Sequence, residues 1–152
     1  MIALIQRVKH ASVDVDGETV GACGYGLLVL LGVAAEDEEA DLAKLADKLL
    51  KLRIFPDEND RMNRSITDVG GEALVVSQFT LLANYSHGNR PEYFAAAAPE
   101  KAERFYEAFV ARLRQTLPHV DTGRFGAHME VSLCNDGPVT IVLDSNRLKK
   151  KE

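Results

Sequence analysis

The chain has 152 residues, 46% apolar and 27% charged, with a net charge of −5 at pH 7. That length suits one domain with a sizeable core, and the acidic balance argues against a nonspecific nucleic-acid binder, which is basic overall. It leaves room for local basic patches, at Arg147, Lys149, Lys150 and Lys151 or at Arg112 with Arg114. The longest apolar stretch, Leu27 to Leu31, is too short to span a bilayer. Met1 to Arg7 lacks the basic start and long apolar run of an export signal, so the expected location is the cytoplasm, with no membrane partner. Cys23 and Cys134 form no C-x-x-C pair and read as reduced, buried small apolar residues.

Ile2 to Val8 reads as a strand. Ser12 to Val15 alternates as a second, half-buried strand, and Asp16-Gly17 is a hairpin turn into Thr19-Val20-Gly21. Gly26 to Val33 is a continuous apolar strand. The period then changes: Leu42, Leu45, Leu49 and Leu52 predict an amphipathic helix from Glu38. Ile54-Phe55 is a short strand before the turn Pro56 to Asp60, Ala73 to Phe79 is a buried strand, and Ala83 to Pro91 is a polar loop. Pro99 opens a second helix at a favoured position, with Ala102, Phe105, Tyr106, Phe109, Val110, Leu113 and Leu117 on its apolar face. Thr122 to Gly126 is a turn, Met129 to Leu133 a strand, Asp136-Gly137 a turn, and Val139 to Leu143 the last strand. About seven or eight strands and two helices follow, the early strands joined by hairpin-like turns. The expected fold class is α+β: a mostly antiparallel curled sheet, barrel-like, forming a single domain over residues 1–152 with two main outer helices.

Two segments break local rules. Ser77-Gln78-Phe79-Thr80 places two hydroxyls and an amide at the end of the apolar run Leu74-Val75-Val76. Asn135-Asp136-Gly137-Pro138-Val139-Thr140 puts Gly-Pro where a strand should already be hydrogen-bonded, although proline is confined to edges, strand starts and bulges. Two such places suggest a site. Familiar signatures are absent: there is no G-x-S-x-G, no H-E-x-x-H and no Gly-rich phosphate loop. His128 and Glu130 look like the start of a zinc deaminase motif, but no C-x-x-C follows, so no metal or other cofactor is expected. A Ser77/His87 nucleophilic pair is one reading of the first segment; hydroxyls bonded to backbone are the other. For the second, Gly137-Pro138 is either a strand start after a turn or, with the X-Pro bond cis, a main-chain wall of carbonyls left uncovered by glycine.

Together these residues resemble the D-aminoacyl-tRNA deacylase family over nearly the whole chain. The likeness runs through Ile5-Gln6-Arg7-Val8, Ala11-Ser12-Val13, Gly26 to Val29, Leu31-Gly32-Val33, Arg53-Ile54-Phe55, Met62-Asn63, both signatures, Arg90-Pro91 and Thr122 to Ala127. The resemblance implies a homodimer with a site at the subunit interface, where Gly137-Pro138 of one chain enters the pocket of the other. It implies hydrolysis of the ester joining a D-amino acid to the 3′-terminal adenosine of tRNA, and removal of glycine mischarged onto alanine tRNA. Ser77, Gln78, Phe79 and Thr80 would hold adenosine and ester, with backbone N–H groups at the oxyanion. Arg7 would support the Gly-Pro gate through its rigid fork of donors, and Phe125 would pack on adenine. The RNA 2′-hydroxyl would assist, so that Thr80 positions substrate rather than attacking it. Two departures bear on tRNA contacts and amino-acid preference: Asn84 and His128 stand where relatives carry Asp. A nucleic-acid-binding module on the same fold and a Ser/Thr esterase of small substrates are the competing classes.

Overall fold

Strand β1 (Ile2–Val15) organises the molecule, and the computed structural model describes residues 1–148. Lys149, Lys150 and Lys151 of the basic tail lie outside the described residues. β1 has two partners along one edge. β3 (Gly26–Gly32) runs antiparallel to its first half, from Ile2↔Gly32 to Val8↔Gly26. β2 (Glu18–Cys23), returned by the turn at Asp16-Gly17, covers its second half, from Ala11↔Cys23 to Val15↔Glu18.

Leucine spacing and charge placement make α1 (Glu39–Lys51): Leu42, Leu45, Ala46, Leu49 and Leu50 are buried, Glu39 and Asp41 lie in the first turn, Lys48 and Lys51 in the last. Asp41 Oδ2 accepts the Glu38 N–H at 2.8 Å and satisfies one donor at the helix start. A small hairpin of β4 (Phe55–Pro56) and β5 (Met62–Arg64) follows, then β6 (Glu72–Ser77), parallel to β3. α2 (Pro99–Arg114) and β7 (Val120–Thr122), parallel to β6, lead to β8 (Glu130–Asp144), antiparallel to the other edge of β1.

The order is β2-β1-β3-β6-β7 with β8 on β1. The ends of that row approach each other. Asp121 Oδ2 accepts the Ala22 N–H at 3.0 Å and His119 Nε2 lies 2.9 Å from Ala22 O. A Cβ at Gly21 would sit 2.0 Å from Thr122 O, so only glycine allows β7 this close to β2. The sheet thus curls into a nearly closed, barrel-like form. Alternation divides its side chains between two cores. Ile5, Val29, Leu31 and Val75 pack with Leu45, Leu49, Phe109 and Leu113 of the two outer helices. Val8, Val13, Leu28, Leu74 and Val76 fill the inside of the curl.

The α+β fold with two outer helices is as expected, and antiparallel pairs predominate. Several details differ. The two N-terminal strands are one strand. β5 and β7 are short and carry no alternation long enough to read. β6 ends at Ser77 rather than Phe79, and both of its pairings are parallel, made by crossovers that carry α1 and α2. Asp136-Gly137 is not a hairpin turn: the segments on either side pair with β1 instead of with each other, so β8 is a single 15-residue strand with a local excursion.

Candidate functional site

β6 is buried through Val76, and Ser77 is half-buried. Gln78 N–H still reaches Leu31 O at 2.8 Å, extending the strand pairing by one residue. The chain then turns through a short 3₁₀ helix, Phe79–Leu82, whose leading N–H groups have no partner within the turn. Gln78 Nε2 donates to Thr80 Oγ1. The Phe79 ring is 56% exposed and meets Tyr93 edge-on at 5.0 Å.

This corner forms one wall of a cavity of about 590 Å³, a usual size for a small-molecule site. Ser77, Gln78 and Phe79 face Tyr93, Ala96, Ala97, Pro99 and Ala102 from the entry to α2. Phe125, Gly126, Ala127, His128 and Met129 close it from the segment between β7 and β8, with Val131 at the start of β8. Phe125 is held from behind by Tyr106, ring centroids 6.1 Å apart. Tyr106 itself donates to Val75 O at 2.8 Å, and burial pushes its hydroxyl up to about 12. Thr80 does not line the cavity. Nor does His87, so only Ser77 of the Ser77/His87 pair weighed from sequence belongs to the cavity wall. His128, weighed from sequence as half of a zinc motif and as a departure from the family, does line it. Tyr93 was missed: it lies in an aperiodic stretch, and only its pairing with Phe79 reveals it. Among the described residues no three His, Cys, Asp or Glu side chains gather as a metal site.

The second signature is built elsewhere, and neither Gly137, Pro138 nor Arg7 lines the cavity. Along β1 the register passes from Gln6↔Thr140 to Val8↔Asn135, so Asp136, Gly137, Pro138 and Val139 lie opposite Arg7 alone. The Gly137–Pro138 peptide is cis, and both residues are exposed. Gly137 takes φ +147°, and a Cβ there would lie 2.8 Å from Val139 Cγ2 and 2.9 Å from Val139 N.

Arg7 and Asn135 hold this excursion. Arg7 continues the buried row Met1, Ala3, Ile5, and it is only 9% exposed. Its Nε donates to Asp136 O at 2.9 Å and Nη1 to Ile54 O at 2.7 Å, with Asp136 Oδ2 at 3.3 Å from Nε. A buried guanidinium needs such partners, and backbone carbonyls supply them. The carbonyls belong to the same chain. Asn135 bonds to both backbone groups of Val139 and to Thr140 Oγ1, which also accepts from Gln6 Nε2.

The chain has close likenesses among known proteins. It is 53% identical to the D-aminoacyl-tRNA deacylase of Thermosipho africanus, over 97% of this chain and 99% of that one. It is 58% identical to that of Ruegeria pomeroyi, over 95% and 99%. A solved c-Myc DNA Unwinding Element Binding Protein superposes with a TM-score of 0.90 at 44% identity, covering 95% of this chain and 98% of that one. A probable eukaryotic D-amino acid tRNA deacylase shares the fold, with a TM-score of 0.80 at 16% identity over 93% and 97% of the chains. The family described as D-Tyr-tRNA(Tyr) deacylase matches residues 4–144. With its pocket and its bracketed Gly-Pro excursion both in place, the chain belongs to the D-Tyr-tRNA(Tyr) deacylase family.

Proposed function

We propose that this enzyme hydrolyses the ester of D-aminoacyl-tRNA at a composite site built by two copies of the chain. The Ser77–Phe79 cavity of one copy takes the aminoacyl-adenosine, and Gly137-Pro138 of the other closes it. Family membership and the names of the relatives support the reaction. One observation carries the two-chain arrangement. Within a chain, the cavity and the excursion do not share a wall, yet the excursion is exposed and fastened by side chains on both flanks. A loop held so firmly yet absent from the lining of its own pocket suits a second copy.

The chemistry follows from what lines the cavity. Its walls are mainly apolar, Ser77, Gln78, Tyr93 and His128 supply polar groups, and among the described residues no carboxylate lines it to pair with His128. Such a site positions rather than transfers protons, and orientation alone is worth several kcal/mol. Free N–H groups at the start of the Phe79–Leu82 turn would hold the developing oxyanion. The tRNA 2′-hydroxyl would activate water. Selectivity would come from backbone: carbonyls at the gate leave no room where an L side chain projects. Glycine has no side chain to exclude, so glycine on alanine tRNA would also be cleaved. Work in the cytoplasm belongs to the same reading.

The name of the 44% identical structure raises a DNA-binding alternative. The net charge of −5 disfavours it. Deacylation of D-tyrosyl-tRNA and L-tyrosyl-tRNA side by side decides between them. Loss of the D ester alone is expected. Equal loss of both, or of neither with tight duplex-DNA binding, would sink the chiral-editing reading.

A further inference from the structure

The ester substrate of this reading is the tip of a long polyanion, yet among the described residues no lysine or arginine lines the 3′-end cavity. Cations for the rest of the RNA must come from elsewhere, on a chain whose net charge is −5. Among the described residues one trough gathers four. It is a concavity of about 660 Å³ along α1, lined by Lys44, Lys48, Lys51 and Arg147 over the small side chains of Ala40 and Ala43. The lysines recur at helical spacing and so share one face.

The trough is electrostatically open. Its one acid among the described residues, Asp47, lies 3.3 Å from Arg112 of α2, a further cation beside the trough that offsets its charge. Lys44 lies 3.8 Å from Asp41, at the long limit of an ion pair, and surface pairs of this kind contribute little. Lys48 and Lys51 also suit the last turn of α1, where the helix dipole favours cations. That accounts for neither Lys44 nor Arg147. Arg147 arrives from the 3₁₀ turn Ser145–Arg147 after β8, so the cluster joins distant parts of the chain and is more than one solvated helix face.

We propose that the α1 trough binds the phosphate backbone of tRNA away from the terminal adenosine. The inference rests on the reading that aminoacyl-tRNA is the substrate. Ammonium groups bind phosphate as point charges and carry no sequence preference. That suits an enzyme which selects on the handedness of the amino acid rather than on the identity of the tRNA.

The test is a Lys44→Glu/Lys48→Glu/Lys51→Glu variant, assayed on D-tyrosyl-tRNA and on D-tyrosyl-adenosine, an ester without phosphate. Binding of uncharged tRNA is measured alongside. The expected result is a KM for the tRNA ester raised about tenfold or more, a kcat within twofold, and a flatter dependence of log KM on log salt, by about 0.7–0.9 per lost contact. Kinetics on the adenosine ester stay unchanged. Lys48→Gln alone, a mild change, should raise the tRNA KM about twofold to threefold. Equal effects on both esters, or none on tRNA, overturn the trough. So does wild-type binding to phosphatidylserine vesicles with tRNA affinity unaltered in the variant, which assigns the trough to a membrane surface. If wild type cleaves neither D ester, the functional reading falls, while uncharged-tRNA binding still decides the trough.

Discussion

Asn135 and Val139 are joined by two hydrogen bonds across the Gly-Pro excursion: Val139 N–H donates to Asn135 Oδ1 at 2.8 Å, and Asn135 Nδ2 donates to Val139 O at 3.2 Å. The side-chain amide stands in for a neighbouring strand. Residues can therefore leave the β1 pairing without orphaning the backbone groups where they return. Asn135→Ala should cost about 1–2 kcal/mol of stability. Asn135→Asp keeps one acceptor and the shape but turns the donor into an anionic oxygen facing Val139 O, and should cost at least as much. Thermal melts measure both. If the gate reading holds, Asn135→Ala also raises the rate on L-tyrosyl-tRNA relative to D.

Arg7→Lys tests the second fastening. One ammonium cannot reproduce the fork that reaches Ile54 O and Asp136 O together. Leaving a buried carbonyl unpaired should cost about 1–3 kcal/mol, read as a lower urea midpoint with an unchanged m value.

Gly137→Ala places a Cβ 2.8 Å from Val139 Cγ2 and 2.9 Å from Val139 N at φ +147°. The excursion must shift, while its exposed position spares the core. The expected variant is folded, has lost about tenfold or more in D-ester hydrolysis, and discriminates D from L less well. A folded variant with wild-type selectivity would count against the gate.

Thr80 does not line the cavity, and its hydroxyl accepts from Gln78 Nε2. Thr80→Ala and Ser77→Ala should therefore retain activity within about tenfold, whereas tRNA ending in 2′-deoxyadenosine should lose about a hundredfold or more. Single-turnover deacylation measures both. Abolition by either alanine variant would instead favour a protein nucleophile.

Burial raises the Cys23 thiol from 9.0 to about 11 and the Tyr106 hydroxyl from 10.0 to about 12. In both the folded state holds the proton more tightly than the unfolded chain. Their contribution is complete below the ordinary values and is lost as pH rises through the raised ones. Stability should thus fall between about pH 9 and 12. Cys23→Ala should flatten the lower part of that fall, and Tyr106→Phe the upper part, in urea titrations across that range.

Much of this was legible in the sequence. The three- and four-residue steps of Leu42, Leu45 and Leu49 mark α1 because a helix buries one stripe, and Pro99 marks the start of α2. The apolar runs at Leu27–Leu31 and Leu74–Val76 mark β3 and β6 because both faces of each are covered. Both signatures stood out by breaking strand chemistry, and Phe125 does line the cavity beside Ser77.

Periodicity records which face of a segment is buried, but not which segment lies beside it. For that reason the parallel pairing of β3, β6 and β7 and the continuity of β8 past Gly137-Pro138 emerge only in three dimensions. So do Tyr93 against Phe79 and the trough that Arg147 shares with α1. By itself the sequence determined the elements, the two signatures and the family resemblance. Only the tertiary structure decided that the signatures occupy separate places, since Arg7 and Asn135 hold the second one by contacts to backbone groups that no side-chain pattern encodes.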